Sequence, residues 1–220
     1  MTKPFLFRQR VRAAQFAAHF KRRTDGIAAV EFALIVPIMA ILFIGAVEMS
    51  QAVTVNRRVS QVGSTIGDIV ARADTTIYDS GTDPSVLDTM KVGKYLLAPY
   101  GPDTLVVEMQ VVGSTSSATD IKRKWYCKYD GANPTTVACE CKSDAYTTLP
   151  TGLLSTTSYP DYVVVAEVKY GYKPGLFDFF MKRAYPSGSG GVYTMKETVY
   201  LKPRSLTPQL KVGSAAVCPL

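Results

Sequence analysis

The chain has 220 residues, of which 47% are hydrophobic and 20% charged, so it supports one ordinary core and is not a disordered chain. Its formal net charge is +7, but residues 1–25 hold seven basic residues and one acidic residue, which leaves 18 of the 25 basic and 17 of the 18 acidic residues for the rest. The excess charge therefore belongs to the N-terminal tail, which argues against a nucleic-acid partner and suits contact with membrane lipid.

The first predicted element is a transmembrane helix over residues 27–49. The apolar run Ile27–Val47 has 21 residues with one charge, Glu31. At about 1.5 Å per residue it reaches roughly 31 Å, which matches the apolar layer of a bilayer. Basic residues precede the run, so the positive-inside rule places a leader (residues 1–26) in the cytoplasm and the rest of the chain outside. Pro37 predicts a bend in this helix.

A carboxylate lies near the start of the run. Glu31 follows Gly26 by five positions, and burying its charge in lipid would cost about 2.5–3.5 kcal/mol without compensation. The stretch 22–32, a basic leader followed by a glycine and then an acidic residue, resembles a type IV prepilin processing site. This resemblance implies cleavage after Gly26 by a prepilin peptidase, Ile27 as the new N-terminus, and pairing of Glu31 with the amine of a neighbouring subunit. Glycine suits the scissile position because it lets the backbone extend into a protease cleft.

The N-terminus allows two other interpretations. In the first, the run is an uncleaved signal anchor whose Glu31 stays solvated near the cytoplasmic interface. In the second, it is a conventional secretory signal peptide. The second is disfavoured because the region before the run has 26 residues, and because the run has 21 residues where signal peptides have about 7–15.

An apolar stripe predicts that the helix continues over residues 50–73. Its members recur at spacings of four and three, as on one face of a helix. The whole helix would have about 47 residues and a length of roughly 70 Å, the shape of a pilin spine. A stalk or coiled coil in a membrane-anchored dimer would use the same spacing. The stripe consists of Val55, Val59, Val62, Ile66 and Ile69.

Residues 74–220 are predicted to form an extracytoplasmic α+β domain. Asp83 and Pro84 predict the start of a short helix that runs to about Ala98. Four β-rich runs predict an antiparallel sheet of about four strands, packed on the distal half of the long helix. The predicted packing residues of the short helix are Leu87, Met90 and Leu97. The predicted strands are Leu105–Val112, Ile121–Lys128, Tyr162–Tyr170 and Val192–Lys202.

Two details of the sheet stay open. In the second strand, Arg123 shares one face with Trp125 and Cys127, so the alternation does not say which side is buried. The last two strands form a predicted hairpin whose long connection ends in a flexible segment, 187–191. Its aromatic cluster could enter a membrane interface, but folding over the sheet is favoured. That cluster is Phe177, Phe179 and Phe180.

Four cysteines follow the membrane segment, in a compartment where disulfides persist, so two disulfides are predicted. Because Cys139 and Cys141 are poor partners for each other, Cys127 is expected to pair with one of them and Cys218 with the other. Zinc is disfavoured, since a C-x-C pair lacks the usual spacing and the only histidine, His19, lies in the leader.

A wider resemblance covers the helix. The stretch Gly26–Glu48 looks like the TadE-like family of tight-adherence (Flp-type, type IVc) pilus proteins, which carry an A-A-V-E-F-A-L-hydrophobic-P segment and a later acidic residue. TadF- and TadG-like relatives stay open. Two later stretches, 170–177 and 197–204, are more loosely similar to the K-P-L-F and R-P-R pieces of this family. They depart from it where Gly175 interrupts the first and Lys202 replaces arginine in the second.

The resemblance implies a minor pilin or pseudopilin in the bacterial inner membrane, with a periplasmic domain, that acts in pilus biogenesis, priming, adhesion and surface attachment. The implied partners are other pilins, the prepilin peptidase and the inner-membrane assembly platform. The alternative is an uncleaved, membrane-anchored periplasmic accessory protein that binds other parts of the apparatus. We expect no enzymatic activity, no small-molecule substrate, no metal and no cofactor, because no catalytic motif stands out and His19 is in the leader.

Overall fold

A computed structural model describes residues 25–74, 76–82, 84–117, 119–175, 192–204, 209–213 and 217–218. Several predictions fall outside these ranges. They concern the leader with His19, the helix start at Asp83, the aromatic cluster Phe177, Phe179 and Phe180, and the glycine-rich segment 187–191.

The long helix α1 spans Asp25–Ala71 and contains Pro37. Its 47 residues match the predicted length, with both ends two residues earlier than predicted. The chain divides into two compact units between Val47 and Glu48. The first unit contributes the beginning of α1, and the second contains the remainder of α1 and all the strands.

The second unit is an α+β domain. The elements after α1 are β1 (Ile77–Tyr78), α2 (Val86–Leu97), β2 (Leu105–Ser114), β3 (Lys122–Asp130), β4 (Val137–Cys141), β5 (Asp161–Tyr172), β6 (Tyr193–Leu201) and β7 (Leu210–Lys211). Five strands form an antiparallel sheet in the order β4-β3-β2-β5-β6, and the two short strands β1 and β7 form a separate parallel pair.

The predicted fold class is confirmed, but the main sheet has one strand more than predicted, and the β1–β7 pair was not predicted. The additional strand β4 has only five residues and lies in a segment rich in Gly, Asn, Pro, Ser and Thr, so its local sequence gives little strand signal. Its pairing with β3 places Cys127 opposite Cys139, and these two cysteines form a disulfide. A second disulfide joins Cys141 to Cys218. Both agree with the predicted pattern of two disulfides.

The apolar stripe of α1 lies in the core of the domain. It is buried as predicted as far as Ile66, but Ile69 is 41% exposed and Val70, at 2%, takes its place. A step of four residues from Ile66 returns to the same helix face more closely here than a step of three. The buried stripe is therefore Val55, Val59, Val62, Ile66 and Val70.

Two glycines bring α1 close to the sheet. A Cβ atom on Gly63 would lie 3.2 Å from Val199 and 3.4 Å from Val168, and one on Gly67 would run into Leu201. These three partners lie on β5 and β6, so the absence of side chains at 63 and 67 lets the helix pack directly on these strands.

Helix α2 begins later than the sequence predicts. Its N-cap is Ser85, whose hydroxyl accepts a hydrogen bond from the Asp88 N–H at 3.4 Å, so Pro84 precedes the cap instead of opening the helix. A serine side chain satisfies a free N–H of the first turn, which proline cannot do. The predicted packing residues are all buried: Leu87, Met90 and Leu97.

A β-bulge explains the imperfect alternation of β3. Val111 pairs with Trp125, but the next residue, Val112, pairs with Arg123, so Lys124 is the extra residue. The bulge moves Arg123 to the opposite face from Trp125, which is fully buried. The buried face of β3, which the alternation alone did not identify, is therefore the face that carries Trp125, Cys127 and Tyr129.

Candidate functional site

The predicted processing site lies at the beginning of α1. The helix begins at Asp25, so the bond between Gly26 and Ile27 lies in its first turn. The Ile27 side chain is exposed, and apart from the chain neighbours and the backbone of the same helix, no described atom comes within 4 Å of a Cβ built on Gly26. Among the described residues, none outside α1 therefore covers this side of the bond, whose backbone is helical.

Glu31 lies one helical turn after Ile27, on the same face of α1. Its side chain is exposed, and so are the apolar side chains of Phe32 and Leu34 beside it. A carboxylate surrounded by apolar side chains is an acceptor for a cationic group, because lipid provides no solvation for its charge. An N-terminal amine at Ile27 of a neighbouring chain is chemically suited to that role.

The first part of α1 displays apolar side chains on all sides. It is the one helix among the described residues that is long and apolar enough to cross a membrane. This is consistent with a single-pass membrane anchor. Its exposed large apolar residues are Ile27, Val30, Phe32, Leu34, Ile35, Val36, Ile38, Met39, Ile41, Leu42, Phe43 and Val47.

A comparison with protein families finds a match in this same part of the chain. The family model described as "TadE-like protein" matches residues 26–65, which begin at the processing site and end within the buried part of α1. The chain carries a TadE-like domain. This domain supports involvement in a Tad pilus system. No curated protein and no solved structure matches the chain.

The TadE-like domain includes both acidic residues on which the sequence resemblance depends, and they differ in surroundings. Glu31 is exposed, whereas Glu48 is buried in the second unit. Burial raises the pKa of Tyr172, and the negative charge of Glu48 raises it further. The Tyr172 hydroxyl donates to Oε1 of Gln51 at 3.4 Å. The charge of Glu48 therefore acts on a polar contact between α1 and the end of β5.

Two aromatic rings and an arginine extend this contact. The rings of Tyr172 and Tyr100 meet edge to face with centroids 6.4 Å apart, and the Arg58 guanidinium lies 5.9 Å from the Tyr100 centroid. Arg58 also donates to the carbonyls of Leu96, at 3.2 Å, and Ala98. Sequence analysis singled out neither Tyr100 nor Arg58. The Tyr-Gly-Tyr-Lys-Pro stretch that ends β5 was the available signal for Tyr172.

The second loosely matching stretch, 197–204, also lies along α1. The Ser60 hydroxyl donates to Glu197 at 3.5 Å, and the Arg204 N–H donates to the carbonyl of Ala71 at 2.8 Å. Since Ala71 is the last residue of α1, Arg204 satisfies one of the carbonyls that a helix end leaves free. Described residues of both family-like stretches after the TadE-like domain, 170–175 and 197–204, therefore contact the second part of α1.

Lys202, which stands where the family has arginine, binds Asp161. Its ammonium lies 2.6 Å from both carboxylate oxygens, and the Ser155 N–H donates to the same carboxylate at 2.6 Å. Partial burial would raise the pKa of Asp161, but these hydrogen bonds outweigh it and hold the pKa below its ordinary value.

The predicted site residues fall into two groups. Gly26, Ile27 and Glu31 lie within the first two turns of α1, while the four cysteines lie in the sheet domain. All four cysteines are in disulfides and so provide no thiolate for a metal. Within the ranges that the structure describes, no group of three or more His, Cys, Asp or Glu side chains is placed to hold a metal ion.

Proposed function

We propose that this protein is a minor pilin-like subunit of a Tad pilus, with a structural and not an enzymatic role. One observation carries the proposal. The match to TadE-like proteins covers a helix whose first part is apolar and exposed and whose second part is the core of a folded domain. A pilin needs such a helix, because the same apolar surface must be held by lipid before assembly and by other subunits afterwards.

In this proposal the first part of α1 spans the inner membrane and the disulfide-bonded domain is periplasmic. Prepilin peptidase cleaves after Gly26, and Glu31 pairs with the amine of Ile27 on a neighbouring subunit. The exposure of Gly26, Ile27 and Glu31 supports these steps. The subunit then joins or primes a filament used for surface attachment, with other pilins and the assembly platform as its partners.

Cleavage is tested by the intact mass of the membrane form, purified from cells with and without prepilin peptidase. We expect the mass to fall by residues 1–26 only where the peptidase is present. A mass that includes residues 1–26 in both strains would contradict processing. Gly26→Val, which adds a branched side chain at the scissile position, should block cleavage, while Gly45→Val should leave it unchanged.

The role of Glu31 is tested by assembly. Glu31→Ala should be processed normally but should not enter filaments, because the amine of its neighbour loses its partner. Leu34→Ala, a change of an exposed residue in the same segment, is the matched control and should assemble. Normal assembly of Glu31→Ala would remove the pairing role.

The second candidate function is an uncleaved, membrane-anchored accessory protein that binds another component of the pilus apparatus. The observation in its favour is that α1 begins at Asp25, so the Gly26–Ile27 bond is helical and would have to unwind before a protease could bind it. The mass measurement separates the two candidates, since only the first predicts a shortened chain.

A further inference from the structure

Strand β6 forms one edge of the five-stranded sheet, and in the described part of the chain it pairs only with β5. The ladder between the two strands runs without a register shift over the whole of β6, from Tyr193 to Leu201. No proline lies within the strand, and Pro203 comes after it. β6 is therefore a long, regular edge on which a further strand can form.

The backbone groups that face the open edge belong to alternate residues. In an antiparallel sheet, consecutive residues of a strand bond to opposite neighbours. The Leu105 carbonyl of β2 accepts from the N–H of Gly131, directly after β3, at 2.7 Å. The next residue, Val106, therefore bonds to its partner Lys169 on β5. It follows from the register that the odd-numbered residues of β6 bond to β5, while the even-numbered residues between 194 and 200 direct their N–H and C=O groups outward.

The face of β6 that lies under α1 is incompletely covered at this edge. Val199 and Leu201 lie close to α1, yet both are only half-buried. Their partners on β5, Ala166 and Val164, are 0% exposed. Since both pairs lie on one face of the sheet, the remaining exposure of the two β6 side chains is on the side of the open edge. A further strand would cover it.

Helix α1 leaves space beside this edge. The Ser60 hydroxyl donates to Glu197 of β6 at 3.5 Å, so the side of α1 that carries Ser60 lies along the strand. Ser64 and Arg57 share that side, because they lie four residues after and three residues before Ser60. Both are exposed, and Arg57 has no ion pair among the described residues. The open edge is thus bordered by two small hydroxyl side chains and an arginine.

The opposite edge of the sheet is protected, and β6 is not. β4 has five residues, of which Cys139 is disulfide-bonded to β3 and Cys141 to Cys218. Short strands and outward charges are the usual protection of an edge. On β6, the Lys196 ammonium lies 3.0 Å from the Glu167 carboxylate of β5, so its charge is used within the domain. Of the two edges, β6 offers the longer run of free backbone groups.

We propose that the β6 edge binds an extended segment of another protein of the pilus apparatus, which pairs with residues 196–201 as a sixth strand. Backbone donors and acceptors at the spacing of a strand are complemented by an extended polypeptide. The segment would present small or apolar side chains toward Val199 and Leu201 and a carboxylate toward Arg57. The choice of a pilus protein as partner rests on the proposed function, but not on cleavage after Gly26.

A second copy of this chain is a less suitable occupant. Antiparallel pairing of β6 with itself over its full length would place Glu197 directly opposite Glu197 of the copy. Like charges directly opposite each other destabilise a sheet. The identity of the cross-linked segment, described below, separates the two occupants.

The open edge itself is tested by amide hydrogen exchange of the full chain in detergent. The Thr198 N–H faces outward and should exchange quickly. The Val199 N–H bonds to β5 and should be protected more strongly, by about tenfold or more. Equal protection of the two amides would overturn the open edge.

Binding is tested by photo-crosslinking in cells that assemble the pilus, with p-benzoylphenylalanine at position 196. Position 128, exposed on β3, is the surface control, and position 35 in the apolar segment reports association with other subunits. Cross-linked segments are identified by mass spectrometry. Thr198→Pro removes an outward N–H and no bond to β5, whereas Thr198→Val retains the N–H. The fluorescence of the single buried tryptophan, Trp125, verifies that each purified variant is folded.

We expect an adduct at 196 with one segment of another pilus protein, severalfold weaker with Thr198→Pro, unchanged with Thr198→Val, and little adduct at 128. If Thr198→Pro does not fold, Ser64→Trp, which fills the space beside β6, takes its place, with Ser64→Ala as its control.

Three results would overturn the proposal. An adduct at 35 without one at 196, or an adduct at 196 that Thr198→Pro does not weaken, would remove the added strand and leave the proposed function intact. An adduct at 196 with a second copy of this chain would replace the proposed partner. No adduct at 196 or at 35 would contradict both the added strand and the role as a pilus subunit.

Discussion

The two parts of α1 are one continuous helix in two different environments. From Gly26 to Val47 its large apolar side chains point outward on all sides, whereas from Glu48 to Ala71 one apolar stripe is buried under the sheet and the other faces are largely exposed. The first pattern is that of a helix in lipid or among other helices, and the second that of a helix in a globular core. A single helix can therefore change from all-round exposure of apolar side chains to one buried stripe within about two turns.

The largest expected effect comes from shortening a buried side chain of the stripe. Ile66→Ala should lower the free energy of unfolding of the domain by about 2–5 kcal/mol, because it removes apolar contacts and leaves a cavity. Thermal unfolding of the detergent-solubilised chain, followed by Trp125 fluorescence, measures it. Leu42→Ala, which shortens a side chain that is 68% exposed, should leave the transition unchanged. Equal effects of the two changes would contradict the division of α1.

A smaller effect is expected from the glycines. Gly63→Leu forces a side chain against Val199 and Val168 and should destabilise the domain by about 1–3 kcal/mol through overpacking. Gly45→Leu is the matched control, since apart from the chain neighbours and the backbone of the same helix, no described atom lies within 4 Å of a Cβ at that position. It should have no effect on the same unfolding transition. If Gly63→Leu were equally neutral, α1 would not pack closely on β5 and β6.

The smallest expected effect concerns charges. The pKa of Asp161 is lowered in the folded protein, so its pairing with Lys202 stabilises the fold above the unfolded pKa of about 3.9 and is lost as the pH falls through the folded pKa. Asp161→Asn should cost about 0.2–1 kcal/mol at pH 7, because Lys202 is half exposed, and progressively less as the pH falls through the folded pKa. Glu31→Gln should leave the domain's stability unchanged across the same pH range. If the pairing made no contribution, the difference in the free energy of unfolding between Asp161→Asn and the unchanged chain would be the same at every pH.

Local patterns were sufficient for much of the fold. The membrane helix, its continuation and four of the strands follow from periods of 3.6 and 2, since these periods decide which side chains can share a face. The position of Ser85 as the N-cap was missed because Asp83 and Pro84 offer an equally ordinary helix start. Strand β4 was not predicted because its own residues carry little strand signal, and its pairing with β3 is what makes it a strand.

For the candidate site, the proposal of Gly26, Ile27 and Glu31 comes from the sequence by itself, since a leader, a glycine and a carboxylate in an apolar run lie close together in the chain and need no tertiary contact to be recognised. Tertiary structure alone decided that Arg123 turns away from Trp125, that Cys127 pairs with Cys139 and Cys141 with Cys218, and that Tyr172 meets Gln51. The disulfides and the Tyr172–Gln51 contact join residues that are far apart in the chain. The face that carries Arg123 depends on sheet register, which a one-residue bulge can reverse and which no local pattern encodes.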